Sequence, residues 1–186
     1  LRPPSRVTVS APSYAEHAHH WGRHGHRLRL ASYDELDAAV EDSDVVVLCN
    51  PNNPTGAVVP PQQLLDWAAR LGARGGWLIV DEAFGDTAPG LSVARHSAQP
   101  GLIVLRSVGK FFGLAGLRLG FVGAHPALLD ELADVLGPWA VSGPAQTVAL
   151  AALRDTAWQE LTQVRLLTAG ERMRWLLYTS DAADEM

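Results

Sequence analysis

The chain alternates between short runs of β-branched and apolar residues and longer stretches with helical periodicity. RVTVS (Arg6 to Ser10) reads as a strand, and YAEHAHHWGRHG after it as a helix ending at Gly22 or Gly25. HRLRLA, apolar at every second position, predicts another strand. SYDELDAAVED opens on Ser32 with Glu35 three residues on, the capping-box spacing that starts a helix. DVVVLCN (Asp44 to Asn50) is a continuous β-branched run, as expected of a strand buried on both faces. PPQQLLDWAARLGARGG begins with prolines suited to a first helical turn and ends in glycines; Leu64, Leu65, Ala68 and Leu71 share its apolar face. WLIVDEAF and GLIVLRSVG read as further apolar strands, and LRLGFVGA as the last one. Two helices follow, HPALLDELADVLG and a long one from about Pro144 with a break near Asp155.

Strands alternating with helices of this length predict an α/β fold: a three-layer sandwich with a mostly parallel sheet and helices on both faces. In such sheets a ligand sits beyond the carboxyl ends of the strands. Three polar motifs fall there: CNPNNPTG after DVVVL, VDEAF at the end of WLIV, and SVGK after GLIVLR.

Composition narrows the class. With 186 residues, 47% of them apolar, the chain can build one substantial core. The net charge of −5 is spread along the chain and forms no basic groove, so nucleic acid is not an expected partner. Cys49 is the only cysteine, which excludes an internal disulfide framework and agrees with a reducing cytoplasm. No apolar run approaches the roughly 20 residues of a membrane span. Both ends look cut. The chain begins at Leu1 almost inside a strand, and the last helical pattern loses its apolar face without a cap. LLYTSDAADE resembles translated sequencing-adapter read-through, so residues 175–186 are expected to be a non-native tail.

The motifs carry chemistry. Asn-Pro and Thr-Gly steps in CNPNNPTG force an irregular turn that either only connects strand to helix or holds an asparagine as a donor. Asp81 and Glu82 come directly after an apolar strand, where a carboxylate needs a cation or donors; a cationic ring nitrogen, a helix cap, or a salt bridge with Arg106 or Arg118 would serve. Lys110, among Phe, Gly and Leu, is the residue type for carbonyl chemistry once desolvation or a nearby cation favours its neutral amine. Arg118, eight residues on, offers a fork suited to phosphate. Lysine and arginine together point to a cofactor with an aldehyde and a phosphate.

In this order, NNPTG, VDEAF and SVGK with Arg118 resemble the fold-type I pyridoxal-phosphate enzymes of the aspartate aminotransferase superfamily, over roughly Val7 to Arg174. The resemblance implies the large, cofactor-binding domain of that fold, truncated at both ends. Residues 1–155 would be that domain, and 156–174 a helix leading to a small domain outside the chain. It implies that Lys110 forms a Schiff base with pyridoxal 5'-phosphate, that Asp81 pairs with the ring nitrogen, and that Asn53 donates to the ring phenolate oxygen. Ser107 and Arg118 would hold the phosphate, and Tyr14 in APSY would stack on the ring unless it is a half-buried core residue. Two positions depart from the common pattern. Phe84 stands where many relatives have a tyrosine that also reaches the ring oxygen, and Gly109 where many have Ser or Thr before the lysine.

Those departures, with RSVGKFFGLAGLRLGF, DEAFGDTAPGLSVA and PSYAEHAHHWGRHGH, resemble the cobalamin-pathway L-threonine-O-3-phosphate decarboxylases. The implied substrate is a small amino-acid phosphate, and the implied parent is a cytoplasmic homodimer. Histidinol-phosphate aminotransferases are the sister alternative; an aminotransferase-like sensor domain of a transcription regulator is the alternative outside enzymes. The five histidines of HAHHWGRHGH include His20 and His24 one turn apart, but no cysteine or carboxylate lies at ligand spacing and no metal is expected there. Cys49 is expected to be inert packing.

Overall fold

The computed structural model describes residues 2–184, with side chains described as far as Tyr178. A six-stranded sheet forms the middle layer, in the order β2-β1-β3-β4-β5-β6. Its strands are β1 (Arg6–Ser10), β2 (Arg27–Ala31), β3 (Val45–Cys49), β4 (Trp77–Asp81), β5 (Leu102–Ser107) and β6 (Gly120–Gly123). The first five pair in parallel and β6 runs antiparallel to β5, so the mostly parallel α/β sandwich is the observed fold.

Period-2 alternation sorts the core into two layers. Val46, Leu48, Leu78, Val80, Leu102 and Val104 face α2 (Leu36–Asp42) and α3 (Pro61–Gly72). Val45, Val47, Ile79 and Ile103 face the other side, where α1 (Ala15–Arg23) and α4 (Pro126–Leu136) contribute Ala18, Trp21, Leu128 and Leu129. β3 is buried along its whole length, as its unbroken β-branched run requires. β2 is exposed through Leu30 because it is an edge strand.

The details refine the sequence reading. The capping box of Ser32 and Glu35 is present, but it opens a 3-10 turn over Tyr33–Glu35 before α2 begins. On α3 the buried face is Leu64, Trp67, Ala68 and Leu71; Leu65 is only half-buried. Trp67 goes inside because its indole N–H finds Asp37 at 2.7 Å. The last helical stretch breaks at Asp155, between α5 (Gly143–Arg154) and α6 (Thr156–Asp184). LRLGFVGA is strand only from Gly120: Ala115–Leu117 form a 3-10 turn, and Arg118 follows with a left-handed backbone, φ 51°.

One close approach fixes how α3 meets β5. Gly101 has φ +84°, and a Cβ there would lie 2.6 Å from the Gly72 Cα. Two backbones touch, and no side chain can give way. Gly101→Ala is expected to lower the unfolding free energy by about 1–3 kcal/mol. Gly90→Ala, with no atom within 4 Å of the new Cβ, should change it by less than about 0.5 kcal/mol. Denaturant titration of the two variants checks the contrast.

Candidate active site

The same alternation decides which polar side chains meet at the carboxyl ends of the strands. Continued by one step, it sends Cys49 and Asp81 to the α1 side of the sheet. The two are register partners on β3 and β4. There His17 of α1 meets Asp81, Nε2 to Oδ2 at 2.9 Å, and the Ala83 N–H donates to Oδ1 at 2.9 Å. Glu82, one residue on, turns to the opposite layer and is 1% exposed. It accepts hydrogen bonds from Ser92 Oγ, the Val93 N–H and Arg106. Arg106 also pairs with Asp86. Of the two acids, Glu82 therefore takes the salt bridge with Arg106, and Asp81 is held by His17 and a backbone amide.

The Asn-rich turn divides its labour. Asn50 is buried and bonds Val59 through both its amide and carbonyl. Asn52, also buried, donates to the Pro12 carbonyl and Thr55 Oγ1 and accepts from Ser13 Oγ. These two pin the turn to β3 and to the segment before Tyr14. Asn53 is exposed and is left to face the strand ends.

The lysine segment is built by a tight fold-back. A Cβ on Gly109 would stand 3.3 Å from the Ala115 Cα, so the close approach this glycine permits is to the chain's own backbone. The Gly109 N–H donates to Ser107 Oγ at 3.0 Å, which leaves the serine's O–H to donate elsewhere. Lys110 is the only lysine in the chain. It is solvent-exposed, so burial in this chain does not desolvate it; the Phe84 ring centroid lies 5.4 Å from Nζ. Behind it, Phe111 and Phe112 pack on Trp158 of α6, with centroids 5.4 and 5.8 Å apart.

All seven residues singled out in the sequence line one cavity of about 420 Å³: Tyr14, Asn53, Asp81, Phe84, Ser107, Lys110 and Arg118. Tyr14 is 57% exposed, so it is not a core residue, and it meets His17 edge-on at 5.4 Å. The cavity presents a carboxylate, a primary amine, a guanidinium, a hydroxyl and an amide. It has room and donors for a phosphorylated aromatic aldehyde. The profile of the aminotransferase class I and II family matches residues 1–176. The chain belongs to this family. It is 52% identical over 177 residues to a threonine-phosphate decarboxylase of Pseudomonas aeruginosa, covering 95% of this chain and 54% of that protein. It is 42% identical over 115 residues to a histidinol-phosphate aminotransferase of Streptomyces avermitilis, covering 61% and 31%. Among solved structures of the family, a histidinol-phosphate aminotransferase from Sinorhizobium meliloti in complex with pyridoxal-5'-phosphate superposes with TM-score 0.82 and 26% identity, over 93% of this chain and 50% of that one. The chain thus spans about half the length of the family members it matches.

Sequence reading gave no site role to His17, Asn50, Asn52 or Trp158. His17 had a usable signal: it lies three residues after Tyr14, about one helical turn on. Burial works against a charge on this imidazole, but its hydrogen bonds to Asp81 and Cys49 and their charges outweigh that cost and push its pKa up to about 9. A raised folded-state pKa stabilises fully below the ordinary value of 6.5, and the contribution is lost as pH rises through about 9. Stability is therefore expected to fall by on the order of 2 kcal/mol across that window. His17→Gln should flatten this slope in denaturant titrations run at successive pH values.

Proposed function

We propose that the parent protein is a pyridoxal-phosphate-dependent threonine-phosphate decarboxylase, converting L-threonine O-3-phosphate to (R)-1-aminopropan-2-yl phosphate and CO₂ for cobalamin biosynthesis. The observation that carries the reaction is the 52% identity to a threonine-phosphate decarboxylase over 95% of the chain. A second such enzyme, from Sinorhizobium sp, is 52% identical over 157 residues. In sequence, the histidinol-phosphate aminotransferases of Streptomyces avermitilis and Thermobifida fusca are less similar, 42% and 41% identical over 61% and 68% of the chain. Residues 1–155 are taken as the cofactor-binding domain and the start of α6 as the route toward a small domain. The parent is taken to be a cytoplasmic homodimer.

Pyridoxal phosphate, when bound, supplies an electron sink for the pair released from a bond at Cα. This chain's residues hold and tune it. Asp81 would accept a hydrogen bond from the cofactor's ring nitrogen, and His17, 2.9 Å away, holds that carboxylate in place. Asn53 donates to the ring phenolate oxygen; Phe84 has no group that can add a second donor. Ser107 and Arg118 bind the phosphate, Arg118 as a fixed charge. Tyr14 covers one face of the ring. Lys110 would hold the aldehyde and, as a free amine, could move a proton at Cα. Which bond breaks depends on which substituent stands perpendicular to the ring, so the groups that grip the substrate's carboxylate and phosphate choose between CO₂ loss and transamination.

The full-length parent, incubated with pyridoxal phosphate and threonine phosphate, is expected to release CO₂. It should show no comparable turnover with histidinol phosphate and 2-oxoglutarate. Transamination without CO₂ release would contradict the decarboxylase assignment. Lys110→Ala should abolish the visible absorbance of the lysine-bound cofactor; an unchanged spectrum would contradict the lysine's role. The 186-residue chain by itself is expected to turn over little.

A further inference from the structure

Beneath the cavity, three side chains of different chemistry converge. His17, Cys49 and Asp81 each offer one ligand atom, and these atoms all lie within 4.8 Å of one another. Among the described residues this is the one group of three His, Cys, Asp or Glu side chains able to hold a metal ion. We propose that His17 Nε2, Cys49 Sγ and an Asp81 carboxylate oxygen form a binding site for Zn²⁺ in the cofactor-free protein, and that zinc and pyridoxal phosphate exclude each other there. The exclusion rests on the cofactor reading given above; the metal site does not.

A thiolate, an imidazole and a carboxylate are the ligand types zinc takes, at about 2.3, 2.0–2.1 and 2.0–2.2 Å. A tetrahedral ion at those distances needs its ligand atoms about 3.3–3.7 Å apart, a contraction of about 1 Å from the observed outer limit. His17 and Asp81, now hydrogen-bonded at 2.9 Å, would part by a few tenths of an ångström to admit the ion, and the larger adjustment falls on the sulfur. The scaffold is held in place. Cys49 and Asp81 are neighbours in register on β3 and β4. Tyr33 donates to the Cys49 carbonyl at 2.6 Å, and Ala83 fixes the second oxygen of Asp81. Such outer contacts orient metal ligands.

The site also has access. Cys49 and Asp81 line the main cavity, while His17 lines a second, open depression with Tyr14, Glu16, His20 and Trp21. Three protein ligands leave a fourth position for water from the cavity. The thiol proton and the proton between His17 and Asp81 leave when the metal binds, giving a neutral site of one dication, one thiolate and one carboxylate. With Asp81 on a metal, no carboxylate is left to receive a protonated ring nitrogen.

Co²⁺ is the probe, since a thiolate bound to it gives a near-ultraviolet charge-transfer band that histidine and carboxylate ligands do not. The cofactor-free chain, stripped with chelator and kept reduced, is expected to develop this band at one equivalent of Co²⁺ and to lose it when Zn²⁺ is added. Cys49→Ser should remove the band. His17→Gln should weaken Co²⁺ binding, while circular dichroism confirms that both variants stay folded. No band in the unaltered chain, or a band that persists in Cys49→Ser, would overturn the site. Pyridoxal phosphate added to the cobalt form should erase the band as its own lysine-bound absorbance rises. Both signals rising together would overturn the exclusion. An absent cofactor signal with an intact cobalt band would overturn the cofactor reading and leave the metal site standing.

Discussion

Everything at the site depends on one carboxylate at the end of a buried strand. Asp81 closes β4 with its side chain only 14% exposed, where an unpaired charge would be costly. The fold meets that demand with His17 rather than an arginine. The choice sets the geometry around it. α1 must lie so that His17 reaches the sheet, which brings Tyr14, one turn earlier, to the rim of the cavity. The alternation that turns Asp81 toward α1 turns Glu82 away, and there Arg106, Ser92 and the Val93 amide satisfy the second carboxylate. Two adjacent acids thus do unlike work: one is presented to the cavity, and the other fastens the segment from Asp86 to Val93.

The lysine side of the cavity rests on packing. Gly109 folds against Ala115, and Ser107 caps the Gly109 amide. Phe111 and Phe112 clasp Trp158, so α6 is attached one residue from Lys110. Gln163 of the same helix donates to the Asp86 carbonyl at 3.0 Å. A displacement of α6 would therefore reach both the lysine segment and the loop that Glu82 anchors. α6 is thus packed against the two residues that follow Lys110.

Much of this was legible in the sequence, for physical reasons. Buried parallel strands are continuous apolar runs, so β3, β4 and β5 could be read, and polar residues at their carboxyl ends marked the site. Asn53, Asp81, Phe84, Ser107 and Lys110, which follow those ends, line the cavity, as do Tyr14 and Arg118, to which the family resemblance pointed. Partners from distant segments were not legible. His17 lies 64 residues from Asp81, and Trp158 reaches Phe111 only after the whole sheet is assembled. Composition could not divide the asparagines, because Asn50, Asn52 and Asn53 differ only in what the folded turn places beside them. Arg118 read as strand because Leu117 and Leu119 alternate around it; its left-handed backbone follows from the 3-10 turn before it.

The central claim is that the cavity between β3, β4 and β5 holds pyridoxal phosphate through Lys110. The chain makes this unusually easy to check, because it has a single lysine. The direct measurement is borohydride reduction of the 186-residue chain after incubation with pyridoxal phosphate, followed by peptide mass mapping. The account predicts one reduced cofactor per chain, on the peptide containing Lys110, and a sharp loss of that label in Asp81→Ala. Label only at the α-amino group, or labelling of Lys110 indifferent to the loss of Asp81, would contradict it.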